Sequence, residues 1–385
     1  MKALVYGLAR SGTAAAARLE ERGDEVVRVD RSLGNEDDLA LLDGVDVLVK
    51  SPGVPGERPL VAAARGRGVP VWSEVELGLR LLEGARIVGV TGTNGKTTTC
   101  ELLGAVFRAA GRDVAVAGNV GTPLTSVRDA DWVVCELSSF QLEDVPSLAC
   151  DVAVLLNLEP DHLDRHGTFE AYREAKLRIF DGARVCVVPR GSGLEGVEFD
   201  ADDPLPAEPL MRGAHNRENA AAATTAARAA GIDDEPIAEA LRSFAGVPHR
   251  LEPVGEVGGV RFVNDSKATN VAAALRALAV YAGERVRLIA GGRGKGQSFE
   301  PLALALGSNV EAIYAIGEAE AELVAAIGRR ATAVGDLATA VRRAAAEARP
   351  GDVVLLSPAC ASFDQFENFA ARGEEFRRLV QNLEA

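Results

Sequence analysis

The sequence lacks any apolar run close to the roughly 20 residues that a bilayer-crossing helix needs, and residues 1–20 show no signal-peptide pattern. A soluble cytoplasmic protein with no membrane partner is the expectation. Cysteine is sparse and scattered: five residues, at 100, 135, 150, 186 and 360, an odd number with no Cys-x-x-Cys pair. Free thiols in a reducing compartment fit that pattern better than a disulfide framework. Positive charge is in deficit, since 42 Lys and Arg against 56 Asp and Glu leave a net charge of −14. This argues against nucleic acid or an anionic membrane as partner. An anionic ligand must then be held locally, by loops and a few placed cations. Histidine is rare too: two of the four lie together, in Glu159-Pro160-Asp161-His162-Leu163-Asp164-Arg165-His166. No Asn-Lys-x-Asp run supports a guanine-nucleotide switch.

What is present is organised around Thr91-Gly92-Thr93-Asn94-Gly95-Lys96-Thr97-Thr98. An apolar run, Ile87–Val90, precedes it, and helically spaced apolar residues follow from Thr99 to Phe107. A glycine loop between strand and helix turns backbone N–H groups toward phosphate oxygens at the positive end of the helix dipole. Lys96 would reach the β- and γ-phosphates and the Thr97 hydroxyl would ligate Mg²⁺. Valine at 90 stands where the strict pattern has glycine, so this is a near match to the phosphate-loop motif.

A length of 385 residues predicts two or three domains. Ala3–Gly7 reads as a buried strand that turns through Gly7-Leu8-Ala9-Arg10-Ser11-Gly12 into a helix. A second strand follows and ends in Asp30. Together they form a Rossmann-like half or a purely structural βαβ turn. Val45–Lys50 leads into Ser51-Pro52-Gly53-Val54-Pro55-Gly56, and this first domain closes near residue 84. In the second, Val114–Gly121 is a strand with a Gly-Asn-x-Gly turn. Trp132–Cys135 delivers Glu136, followed by Leu137-Ser138-Ser139-Phe140-Gln141. A carboxylate there suits a metal-linked role, or serves as a helix N-terminal acid with the serines as caps. The strand 152–157 delivers the acidic, histidine-bearing cluster, in which His162 is the better metal candidate and Asp164 and His166 read as capping or surface groups. A helix from Thr168 to Phe180 carries Lys176, which taken alone reads as a solvated lysine. The helix from His215 to about Ala230 opens with Asn216 and Asn219, caps or base-edge readers. Gly246–Arg250 is a plausible hinge. Beyond it strands at 259–265, 285–290, 310–316 and 352–357 alternate with helices, which implies a mostly parallel sheet. The loops 291–296 and 357–366 sit at strand ends, where ligands bind in such folds.

Taken together, Thr91–Thr98, Gly118-Asn119, Glu136–Gln141, Asp161–Asp164, Ala175–Ile179, His215–Asn219, Pro248-His249-Arg250, Asn264–Asn270 and Ser357–Phe366 resemble the Mur ligases of bacterial cell-wall synthesis, in family order over nearly the whole length. The resemblance implies an α/β, three-domain architecture. Residues 1–84 would form a Rossmann-like domain for the uridine substrate, 85–246 a central phosphate-loop ATPase domain, and 247–385 a Rossmann-like domain for the amino acid and part of the ATP. It implies an ATP-dependent amide ligase that adds D-glutamate to UDP-N-acetylmuramoyl-L-alanine, monomeric, with two Mg²⁺ ions and a CO₂-derived carbamate on Lys176.

By the same resemblance Gly92, Thr93, Asn94, Gly95, Lys96, Thr97, Thr98, Asn216, Asn219, Arg250 and Asp265 contact ATP, and Thr97, Glu136, His162 and Lys176 the metal. Ser11, Asp30, Gly53, Asn119, Ser138 and Gln141 match contacts of the uridine substrate. Lys267, Thr269, Lys295, Ser362 and Phe369 surround the D-glutamate. Lys96, His162, Lys176 and Lys267 carry the catalytic roles. Such cations have a reason: a carboxylate accepts an amine only after conversion to an acyl phosphate, which brings several anions together. The alternatives are a folylpolyglutamate synthase of the same superfamily, a phosphate-loop regulatory ATPase, and a nicotinamide oxidoreductase resting only on Gly7–Gly12 and Asp30.

Overall fold

The computed structural model describes residues 1–82, 84–294 and 296–383, and these form two compact units, Met1–Phe244 and Ala245 onward. Lys295, expected near the D-glutamate, and the side chain of Asp164 lie outside the described residues.

The first unit holds two parallel sheets. One contains β1 (Lys2–Tyr6), β2 (Glu25–Val29), β3 (Val47–Lys50) and β4 (Val71–Ser73) in the order β2-β1-β3-β4. The other contains β5 (Arg86–Thr91), β6 (Val114–Gly118), β7 (Trp132–Glu136), β8 (Val152–Leu155), β9 (Val185–Pro189) and β10 (Val197–Phe199), ordered β10-β9-β8-β5-β7-β6. Strands covered by helices on both faces read as continuous apolar runs, and β7 and β8 are buried at every position. On one face Val88, Val90, Trp132 and Val154 pack with Phe107 and with the alanines 220–223 of the helix Ala214–Ala229. On the other, Ile87, Val133, Cys135 and Ala153 meet Leu124, Ile179 and Val75. The alternation 87/88 and 132/133 across the two faces is the period-2 signature of a strand.

The phosphate-loop strand β5 lies centrally, between β8 and β7, with Val90 opposite Glu136 and Thr91 opposite Leu155. The carboxyl ends of three neighbouring strands therefore deliver Gly92, Leu137 and Leu156 to one edge.

The second unit is a six-stranded sheet: β11 (Glu252–Val257), β12 (Val260–Asn264), β13 (Val286–Gly291), β14 (Val310–Ile316), β15 (Ala331–Gly335) and β16 (Val353–Leu356), ordered β11-β12-β16-β13-β14-β15. Only β11 runs antiparallel, at the edge, and its Pro253 beside a register shift is tolerated there. The five cysteines are all free. Among the described residues no helix is long and apolar enough to cross a membrane.

Candidate active site

At the end of β5 the chain needs two conformations that side chains resist. Gly92 has φ +155 and Gly95 φ +85, and a Cβ on Gly95 would lie 2.2 Å from Asn219 Oδ1. Gly95 thereby caps the helix Lys96–Ala109 in the left-handed region. The loop is braced from β8's end: Asn94 N donates to Asn157 Oδ1 (2.8 Å), Asn94 Nδ2 to Glu159 Oε2 (2.9 Å), and Thr93 Oγ1 lies 3.0 Å from the Tyr172 hydroxyl. Lys96 folds back over the loop, with Nζ donating to the carbonyls of Gly92 (2.7 Å) and Thr93 (2.9 Å). Thr97 and Thr98 are buried. Asn219 is buried and donates to Asn216 Oδ1 (3.4 Å), while Asn216 donates to the Arg212 carbonyl (2.8 Å). Neither asparagine caps the helix, whose N-cap is Gly213.

Lys176 is not a solvated lysine. Its side chain is 2 % exposed, Nζ donates to the same Gly92 carbonyl (2.8 Å) and lies 3.4 Å from Thr91 Oγ1 and 4.9 Å from the Tyr172 ring centre. Burial, with Lys96 adding repulsion, lowers its pKa to about 7, against the pull of Asp161 and Glu136. A lysine near neutrality at pH 7 is a nucleophilic amine as well as a cation. Glu136 is buried beside Val90 and accepts from Asn119 Nδ2 (3.0 Å). It takes no part in capping. Ser138 caps the short helix Ser139–Leu142 in a capping box with Gln141, whose Oε1 accepts from Ser138 N (3.0 Å) and Oγ (2.9 Å). The buried Gln141 Nε2 has no partner.

His162 is exposed and left-handed (φ +51), with its ring 4.9 Å from that of Phe140. The side chain of His166 is only 4 % exposed and not a surface group: it stacks on Phe140 at 5.4 Å and Nε2 lies 3.0 Å from Ser139 Oγ. Among the described residues no three His, Cys, Asp or Glu side chains form a ready metal cage.

On the N-terminal sheet Asp30 clamps its own loop. Oδ2 accepts from Leu8 N (2.7 Å) and Oδ1 from Ser32 N and Oγ, bonds that hold its pKa below the usual carboxylate value. Gly12 is needed for packing, since a Cβ there would stand 1.8 Å from the Gly7 carbonyl oxygen. Ser11 lies on the following helix, Arg10–Glu21. Gly53, exposed, sits in the loop after β3, whose neighbours Pro52 and Val54 accept from Arg165.

In the second unit Asp265 follows β12 and is buried. Burial raises its pKa to about 7, although Ser357 Oγ donates to it (2.8 Å) and Arg250 and Arg276 favour the anion. Lys267 Nζ stands 5.5 Å over the Phe369 ring, and Thr269 N donates to the Lys267 carbonyl. Ser362 is buried in the loop after β16. That loop is tied to the one after β12 by Arg372, 1 % exposed, which the sequence does not single out. Its guanidinium donates to Ser266 Oγ (2.9 Å) and to the carbonyls of Ser266 (2.8 Å), Cys360 (3.1 Å) and Ala361 (3.3 Å). Burial lowers its pKa to about 10.

Comparison with known proteins supplies what geometry alone does not. Residues 90–193 match the Mur ligase middle domain and residues 249–360 the Mur ligase, glutamate ligase domain. The UDP-N-acetylmuramoylalanine–D-glutamate ligase of Anaeromyxobacter dehalogenans is 42% identical, with 98% of this chain and 96% of that protein aligned. That of Sphingopyxis alaskensis is also 42% identical, over 99% and 97%. Among solved structures, the UDP-N-acetylmuramate-alanine ligase of Thermotoga maritima superimposes with a TM-score of 0.63 at 18% identity, covering 99% of each chain, a likeness of fold.

Proposed function

The chain belongs to the Mur ligase family, and we propose that it is an ATP-dependent amide ligase joining D-glutamate to UDP-N-acetylmuramoyl-L-alanine through an acyl phosphate, as a cytoplasmic monomer in peptidoglycan precursor synthesis. The observation that carries the chemistry is the meeting of Lys96 and Lys176 on one carbonyl, that of Gly92, inside the phosphate loop. When phosphate oxygens enter, Lys96 can exchange loop carbonyls for them, and the loop N–H groups add to the hold.

The donor set fits magnesium. The Thr97 hydroxyl and Glu136 carboxylate are hard oxygens, His162 offers an imidazole, and Lys176 can take up CO₂ as a neutral amine, which turns a repelling cation into an anionic ligand. When bound, Mg²⁺ offsets the charge of the triphosphate and the substrate carboxylate so that the two can approach. Asn119, Ser138 and Gln141 orient the muropeptide; Gln141 Nε2, buried without a partner, is a donor in want of an acceptor. Asn216 and Asn219, the latter packed against Gly95 of the phosphate loop, would contact the nucleotide. Ser11, Asp30 and Gly53 belong to the uridine end, within residues 1–84. In the C-terminal region, 247–385, Lys267, Thr269, Ser362 and Phe369 are the amino-acid contacts, and the Lys267 ammonium, 5.5 Å over the Phe369 ring, is a cation that would pair with a carboxylate of the amino acid.

Phosphate release from ATP tests the reading, with the uridine muropeptide and D-glutamate each omitted in turn. Full turnover should need both. Stimulation by a folate but not by the muropeptide would overturn it in favour of a folylpolyglutamate synthase.

A further inference from the structure

We infer that Arg165 is a positioning residue for the uridine substrate, holding the loop Ser51–Gly56 in its binding shape from the segment that carries His162; this rests on the functional reading above. Arg165 donates through Nη1 to the Pro52 carbonyl (3.2 Å) and through Nη2 to the Val54 carbonyl (3.3 Å). Those carbonyls are 113 and 111 residues away in sequence. The guanidinium carbon lies over Phe140, 4.3 Å from the ring centre, and Glu143 stands 3.8 Å from Nη2. Its side chain is 14 % exposed, so little of this is the loose surface pairing that contributes nothing measurable.

The loop has a second cation. Lys50, 1 % exposed and 3.2 Å from Asp144, donates to the same Val54 carbonyl (3.2 Å). Among the described residues no peptide bond is cis. An N–H therefore points away from the carbonyl of its own peptide. With the Pro52 oxygen drawn onto Arg165, the Gly53 N–H is turned to the opposite side, and Pro55 leaves the Val54 peptide no N–H at all. The Val54 N–H is bonded to the Ser51 carbonyl (3.0 Å), so the cations set how the Gly53 amide of this turn is offered, and the group it suits is an anionic oxygen of the diphosphate. The fork geometry matters because two carbonyls must be gripped at once, which a point charge does not do.

The test compares wild type with Arg165→Ala and Arg165→Lys in steady-state turnover. The wild type is assayed first with the uridine muropeptide; its inactivity would refute the functional reading and leave the variants moot. Given an active wild type, Arg165→Ala should raise KM for the uridine substrate at least tenfold and leave KM for ATP within threefold. Millimolar guanidinium should recover part of the loss. Arg165→Lys should resemble Ala more than wild type. Two results overturn the inference: unchanged KM for the uridine substrate in both variants, or equal rises for ATP and uridine substrate with no rescue by guanidinium. Should the alanine variant not fold, Arg165→Lys and Phe140→Leu carry the same KM comparison.

Discussion

Burial decides the chemistry of Lys176. Its amine sits at about 7 because water is excluded and Lys96 is near, so it is largely protonated in mild acid and largely free in mild base. A carbamate forms only from the free amine. Turnover limited by that state should therefore fall roughly tenfold per pH unit below 7 and recover with added bicarbonate near neutrality. A flat rate between pH 5.5 and 7, insensitive to CO₂ depletion, would remove the carbamate from the mechanism. Asp265 makes an opposite case. Its folded pKa, about 7, stands above its ordinary 3.8, so the folded protein holds a proton there that the unfolded chain has lost. Its favourable contribution is complete below pH 4 and disappears as pH rises through 7. Asp265→Asn keeps the shape without the charge. Its urea midpoint should exceed that of the wild type by more at pH 8 than at pH 5; a constant difference at both would contradict the burial argument.

At the scale of elements, legibility follows burial on both faces. β8 and β16, apolar at every position, announce themselves. The three-residue β4 and β10 give too short a run to read, and β11 hides behind Pro253 and Gly255. The site divides in the same way. Lys96 is carried by local spacing and was legible; the burial of Lys176 depends on Gly92, 84 residues away, and could not be seen from its helix. Arg165 and Arg372 act through backbone carbonyls of distant loops, a role that leaves no pattern in sequence. Two expectations follow. Gly95→Ala forces a left-handed side chain into Asn219, and should cost about 1–2 kcal/mol or more in denaturant unfolding and abolish ATP binding by calorimetry. Arg372→Met strips the buried carbonyls of Ser266 and Cys360 of a donor, which should cost at least about 3 kcal/mol. Wild-type stability in that variant would mean that water replaces the guanidinium at no cost.

Across the molecule, a chain with net charge −14 has to bind a triphosphate and a uridine diphosphate. The bulk field opposes both, so affinity must come from short-range groups placed at strand ends. The two anions are assigned to different sheets of the first unit: the triphosphate to the loop after β5, the diphosphate to the loops after β1 and β3. The sheets meet through buried groups, Glu74 accepting from Thr125 (2.7 Å) and Lys50 paired with Asp144, while Lys96 donates to the Gly92 and Thr93 carbonyls of the phosphate loop. Removing Lys96 should therefore separate the two functions. Lys96→Ala should lower turnover by a factor on the order of a thousand, while calorimetric titration with UDP-N-acetylmuramoyl-L-alanine gives an affinity within threefold of wild type. If uridine-substrate binding vanished with the lysine, the diphosphate could not be held by the N-terminal loops alone, and the division of labour between the sheets would have to be redrawn around the phosphate loop.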